Sequence, residues 1–351
     1  MRAGTGWIAL SVLLTVVMLL PAPVQAQRDA STPINYRHLA TVGGEGDWGY
    51  DLKAPYDIAV DPDGFMYVTD LASRSLVKIA PDYRFVTATQ SKALPNTVVA
   101  FGTKTGLQAP MGVSVHGGRV YVADGDDVVA YGTDMFFLQR FGSLSEQMGW
   151  GCGLEVTTGF FSPDAIYLAD IGLHRVYKYE LPDPSSGVLT IEVPGYEVPH
   201  WGTYGRGAGE FRSPCAIAAV PDGSGIYVLD RDNHRVVRSS VDGGSTKAWG
   251  RHGAGPGDFR RPEGIATGPD GSVYVADTDN HRIQRFTAGG DFIQQWGERG
   301  GVGEPMGLRA PRGITVDGQG RVYVCDTEHG VVKIYGLRPV VRPEIIRIQR
   351  P

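Results

Sequence analysis

Six times the chain returns to one short pattern of alternating apolar and aromatic residues that ends in aspartate. It reads MYVTD at Asp70, VYVAD at Asp124, IYLAD at Asp170, IYVLD at Asp230, VYVAD at Asp277 and VYVCD at Asp326. Successive copies lie 54, 46, 60, 47 and 49 residues apart. Each copy has the β-branched and aromatic content of a half-buried strand. Upstream stands a second signature, an apolar residue, two spacers and a proline: Leu52 and Pro55, Leu107 and Pro110, Phe211 and Pro214, Phe259 and Pro262, Leu308 and Pro311. In the third copy Gly151 takes the place of the proline.

The clearest unit, Phe259 to Gly297, parses into four strands: Ile265–Thr267, Ser272–Asp277, Arg282–Phe286 and Asp291–Trp296. Pro269-Asp270-Gly271 and Gly289-Gly290 supply the tight turns between them. One such four-stranded sheet cannot bury both faces alone and needs neighbours of its own kind. Six units of this period and strand content predict an all-β fold, a single six-bladed β-propeller of antiparallel blades spanning 27–336. Tyr36 to Gly43 resembles the fourth strands that end elsewhere in Trp-Gly or Phe-Gly, and the sixth unit lacks a fourth strand after Tyr335. The N-terminal strand is therefore expected to complete the last blade and close the ring.

The recurring motifs resemble the NHL-repeat family over about residues 35 to 336. That family is named for an Asn-His-Leu run after the second strand, where this chain has Asn233-His234-Arg235 and Asn280-His281-Arg282. The resemblance implies the fold and leaves the activity open. Among similar propellers, the peptidyl-hydroxyglycine amidating lyases carry zinc-binding histidines just after the motif proline. This chain has none there, so that triad is not carried over. Gluconolactonase-like propellers use channel carboxylates and an Asn around a divalent metal, which Glu263 matches in kind.

Outside the ring, residues 1–26 read as a cleaved signal peptide. Arg2 is basic, Ile8 to Leu20 is apolar, and Val24-Gln25-Ala26 is a small-x-small site. The apolar stretch of about 13 residues is short of the roughly 20 that span a bilayer. The mature protein is expected to be exported, periplasmic or extracellular, and monomeric. Residues 337–351 read as a C-terminal tail. A net charge of −5 with no basic run gives no electrostatic reason for a nucleic-acid or anionic-membrane partner. Long inserts are expected at Pro81 to Asn96, before a fourth strand ending in Phe101-Gly102, and between Tyr179 and Trp201.

Several motifs have plain structural readings. The six aspartates recur too often to form one active site and are expected to accept hydrogen bonds from turn amides or a nearby Arg. His174, His234 and His281 occupy equivalent turns of successive blades, too far apart to share a metal. The spacer Gly205-x-Gly207-x-Gly209 leads to no helix, so it is not a phosphate cradle.

The informative positions are those that break the repeat. The residue after each motif proline is Tyr56, Met111, Cys152, Cys215, Glu263 and Arg312 around the ring. These six are the candidate ligand-binding residues at a channel mouth. Cys152 and Cys215 fall on adjacent blades, leaving a disulfide, a soft-metal pair or two close thiols open; Cys325 reads as a buried free thiol. The leading functional expectation is a non-catalytic scaffold binding protein or glycan, with no cofactor. The alternative is a channel-centred lyase or hydrolase using Glu263, Tyr56 and Arg312, where a divalent metal would assist.

Overall fold

The computed structural model describes residues 36–44, 50–89, 106–141, 151–157, 164–181 and 199–337. The segment read as a signal peptide, the tail past Leu337, the end of the first insert from residue 90 and most of the second lie outside the described residues. Six four-stranded antiparallel sheets form the blades. Blade 1 is Pro55–Val60, Met66–Asp70, Ser75–Ile79 and Phe85–Ala88; blade 2 is Pro110–His116, Arg119–Asp124, Asp127–Gly132 and Phe137–Phe141. Blade 3 is Gly151–Thr157, Ala165–Asp170, Arg175–Glu180 and His200–Trp201; blade 4 is Pro214–Ala219, Gly225–Asp230, Arg235–Ser240 and Ser245–Trp249. Blade 5 is Gly264–Thr267, Val273–Asp277, Arg282–Phe286 and Phe292–Trp296. Blade 6 takes three strands from the end of the chain, Pro311–Val316, Val322–Asp326 and Val331–Leu337. Its fourth is Tyr36–Gly43, paired antiparallel from Tyr36 opposite Leu337 to Gly43 opposite Val331. No helix among the described residues is long and apolar enough to cross a membrane.

Two boundaries differ from the sequence reading. Blade 1 draws its fourth strand from Phe85–Ala88, inside the stretch read as an insert. A turn at Ala80–Arg84, with Tyr83 at φ 70°, brings this strand straight back, and Tyr50 stacks on Phe85 at 5.1 Å. The last strand runs to Leu337, two residues beyond the repeat pattern, because the N-terminal strand offers it a full-length partner.

The first strand of each blade is innermost and packs beside its equivalents in both neighbouring blades. The residue two past the motif proline marks the closest approach. A Cβ on Gly112 would lie 2.8 Å from Cys152 O, and one on Gly153 2.7 Å from Cys215 O. At Gly112 and Gly153 glycine is a packing requirement.

The strand-2 aspartates are buried; in blades 1, 2, 4, 5 and 6 they accept an amide of the connection before the blade, and Asp170 of blade 3 accepts the Gly172 and Leu173 amides of its own turn. Asp277 accepts from Arg260 N at 2.8 Å, Asn280 Nδ2 at 2.9 Å, Arg282 Nε at 2.8 Å and Gln284 Nε2 at 3.0 Å. Arg282 also donates to the carbonyls of Ala254, Gly255 and Asp258. Asp230 and Arg235 repeat this in blade 4, with Arg235 reaching the carbonyls of Arg206, Gly207 and Glu210. The glycine-rich spacer thus turns its carbonyls inward onto a cation, the opposite polarity to a phosphate loop. Blade 6 has Val331 at the Arg position and uses buried Lys333 instead, donating to Glu304 O and Gly307 O beside Asp326. Blade 2 sends Arg140 from its outermost strand to Asp124 and Gly106 O.

The repeated histidines join blades. Nδ1 of His174, His234 and His281 accepts the amide of Ser213, Arg261 and Ala310 at 3.0, 3.1 and 3.2 Å. Each donor residue has a positive φ, and each histidine is itself left-handed, which fixes the turn that aims the ring.

Candidate functional site

The six repeat-breaking residues converge on the ring axis and fill it. Tyr56 Oη lies 3.1 Å from Cys152 Sγ, bridging blades 1 and 3. Arg312 lies over the Tyr56 ring, 5.1 Å from its centroid, and Arg312 Nη1 donates to Glu263 Oε2. Arg231 Nη1, from the turn after Asp230, stands 4.0 Å from Glu263 Oε1. Tyr56, Met111, Cys152 and Cys215 belong to one apolar cluster with Phe259 and Leu229 beneath them. Five of the six are buried; only Arg312, with 30 % of its side chain exposed, reaches solvent. The expected open mouth is therefore a plug, apolar toward blades 2 to 4 and charged toward blades 5 and 6.

Its chemistry is quiet. Cys152, Cys215 and Cys325 are free thiols. Burial pushes Cys152 up to about 12 and raises Cys215 and Cys325 well above the ordinary thiol value. Burial also raises the Tyr56 phenol, with the neighbouring Cys152 and Glu263 adding to it. All three thiols and the phenol are protonated at neutral pH, and none is poised as a nucleophile.

Below the plug the channel opens into a cup of about 210 Å³, walled by Ile58, Val113, Leu154, Ile217, Ile265 and Ile314. Two carboxylates enter this aliphatic cup, Asp57 and Glu155. Asp57 stands where four other blades have glycine, and its Oδ2 accepts the Val113 amide at 3.0 Å. Burial pushes its carboxyl up to about 7, against the pull of the Val113 and Ile58 amides. Glu155 stands where the other blades have Ala, Ser or Thr, with Ser114 Oγ 3.5 Å away. Burial pushes it up to about 8, opposed by the Ala219 amide and reinforced by the Asp57 charge. A smaller void of about 20 Å³ separates cup and plug, bordered by Tyr56, Asp57, Cys152, Cys215 and Glu263. That is room for a single water or ion.

Asp57 and Glu155 were not singled out from the sequence. The signal was present: the comparison that isolates Tyr56 and Cys152 also isolates these two, one and three residues further along the same strands. Among the described residues no three His, Cys, Asp or Glu side chains are placed to share a metal ion.

The NHL repeat model matches residues 259–286 and 308–335, which are blades 5 and 6. No curated protein matches the chain in sequence. Solved structures resemble it in shape. A virginiamycin B lyase from Staphylococcus aureus, in a catalytically inactive form with quinupristin, is 15% identical with a TM-score of 0.55, over 87% of this chain and 100% of that one. An auxiliary nutrient binding protein from Bacteroides ovatus is 15% identical with a TM-score of 0.58, over 87% of this chain and 77% of that one. A gluconolactonase from Xanthomonas campestris is 13% identical with a TM-score of 0.54, over 86% and 98%. At such identities the likeness is one of fold. The chain is a six-bladed β-propeller whose last two blades match the NHL repeat model.

Proposed function

We propose that the protein is an exported, non-catalytic binding scaffold that presents its loops and channel to a protein or glycan partner. The observation that carries this reading is how the plug spends its groups. Glu263 is bound to Arg312, Tyr56 to Cys152, and the thiols are held protonated. The auxiliary nutrient binding proteins of similar shape give it support, and the basic, apolar and small-x-small order of residues 1–26, which reads as a leader, supports export. The test pairs calorimetry against soluble oligosaccharides and extracellular proteins with a turnover screen on lactones and esters, with and without Mg²⁺, Ca²⁺ and Zn²⁺. Saturable binding without product is the expected result. Turnover that Glu263→Gln abolishes would overturn it.

One observation favours the catalytic alternative and moves it to other residues. Asp57 at about 7 and Glu155 at about 8 share one cup, the range in which a carboxylate works as base and a carboxylic acid as its partner near neutral pH. Under that reading turnover has a bell-shaped pH profile and disappears in Glu155→Gln, while Glu263→Gln retains it. Among the described residues no three side chains fit a divalent site, and no step is assigned to a metal.

A further inference from the structure

We infer that the cup is a binding site for one small primary aliphatic amine in its ammonium form, its head against Asp57 and Glu155 and its alkyl chain on the isoleucines. Both carboxylates line one cavity of about 210 Å³, so a molecule that fills it lies against both. Asp57 comes from blade 1 and Glu155 from blade 3, while Ile217, Ile265 and Ile314 come from the other half of the ring, blades 4 to 6. The cup thus has a charged side and an apolar side, which match the two ends of an alkylammonium ion. An aliphatic cavity of about 150 Å³ takes benzene, so this one takes a ligand of about six to eight non-hydrogen atoms. Val60, Val115 and Val316, near the ends of the inner strands away from the plug, line the cup and are half-buried, and entry is from that end.

The charge in the cup points to a cation from outside the chain. In the clasps and the plug, buried carboxylates meet a guanidinium: Asp124 meets Arg140, Asp230 Arg235, Asp277 Arg282 and Glu263 Arg312. The partners of Asp57 and Glu155 are neutral, the Val113 and Ala219 amides and the Ser114 hydroxyl. No Lys, Arg or His is among the described residues that line the cup. Packing does not ask for the pair either, because other blades hold Gly or Ala at the first position and Ala, Ser or Thr at the second. The titratable groups near the pair are each other and the Cys152 and Cys325 thiols, which burial holds protonated. An ammonium ion therefore exchanges for a carboxyl proton, R–NH₃⁺ + HOOC–cup → R–NH₃⁺···⁻OOC–cup + H⁺. The inference goes beyond the scaffold reading, which concerns a macromolecular partner, and it needs no turnover.

The test titrates the purified protein by calorimetry with n-alkylammonium ions from propyl to hexyl, beside the matching n-alcohols. One ion per chain is expected, bound about fourfold tighter for each added methylene until the cup is full. Affinity should rise about tenfold between pH 6 and pH 8 as the carboxyls ionise. At pH 7 the heat should vary with the ionisation enthalpy of the buffer, the mark of a released proton, and that dependence should fade by pH 9. Asp57→Asn and Glu155→Gln should each weaken binding by more than about tenfold, while Arg251→Ala binds like the parent. Circular dichroism checks that each variant is folded, and the comparison of ammonium with alcohol requires no variant. The proposal is overturned by any of three results: no saturable binding at any chain length across that pH range, alcohols that bind as tightly as the ammonium ions, or binding that survives both substitutions. The scaffold reading stands or falls separately, on the oligosaccharide and protein titrations.

Discussion

The clasps between blades and the innermost strands answer the ring's symmetry in opposite ways. At the clasps an aspartate recurs six times, and blades 4 and 5 hold it with the same Asn and Arg partners. Where blade 6 loses the Arg and blade 2 draws on another strand, a different cation still reaches the same carbonyls. On the innermost strands the same six-fold position holds six side chains of five chemical kinds. Repetition with compensation marks what every blade needs to stay docked. Unrepeated chemistry at the axis, where nothing similar is required of each blade, marks what the molecule does only once.

Breaking a clasp should therefore cost more than breaking the plug. Arg282→Ala strands buried Asp277 beside three carbonyls, and a loss of about 3–5 kcal/mol in denaturant unfolding is expected. Glu263→Gln leaves Arg312 partly solvated and should cost about 1–2 kcal/mol. If the two variants melt alike, the division between clasp and axis fails. Arg251→Ala, whose ion pair with Asp258 is exposed on the Arg side, should stay within about 0.5 kcal/mol of the parent.

The cup sharpens the comparison through pH. A carboxyl raised in the folded state binds protons that the unfolded chain has released, so stability falls as pH rises between the two values. For Glu155 that window runs from the ordinary carboxylate range up to about 8, and for Asp57 up to about 7. Glu155→Gln should flatten the decline between pH 5 and 8, by on the order of 3 kcal/mol across the window. An unchanged slope would show that Glu155 is ionised and solvated in the folded ring.

The histidine clasp has the opposite sign and a smaller effect. His234 accepts an amide through Nδ1, and burial, with His252 nearby, lowers its pKa. Its stabilisation is present above the ordinary histidine value and is lost as pH falls through the lowered one. His234→Ala should cost about 1 kcal/mol at pH 8 and remove that acid sensitivity. Equal loss at pH 8 and pH 5 would contradict the acceptor role.

The fold was legible because its determinants are local and repeated. The strands of blade 5 match the sequence parse to within a residue at each end, and the aspartate's hydrogen-bonding role follows from its spacing to Arg282. The fourth strand of blade 1 was not legible, because Phe85–Ala88 lacks the Trp-Gly or Phe-Gly ending and the turn before it relies on Tyr83 in a left-handed conformation. The candidate site was half legible. Sequence located the six unrepeated residues but not that Tyr56 reaches past blade 2 to Cys152 while Arg312 joins Glu263 to the Tyr56 ring, since side-chain length decides that. Asp57 and Glu155 escaped because their importance depends on the aliphatic walls contributed by all six blades.

The central claim is that the six unrepeated residues form a closed plug of protonated groups. Native-state alkylation with N-ethylmaleimide, mapped by mass spectrometry, tests it most directly. Cys152 and Cys215 should stay unmodified alongside Cys325 until denaturant is added, and then all three should label together. Rapid native labelling of Cys152 or Cys215 while Cys325 stays protected would show an open, reactive mouth and contradict the account.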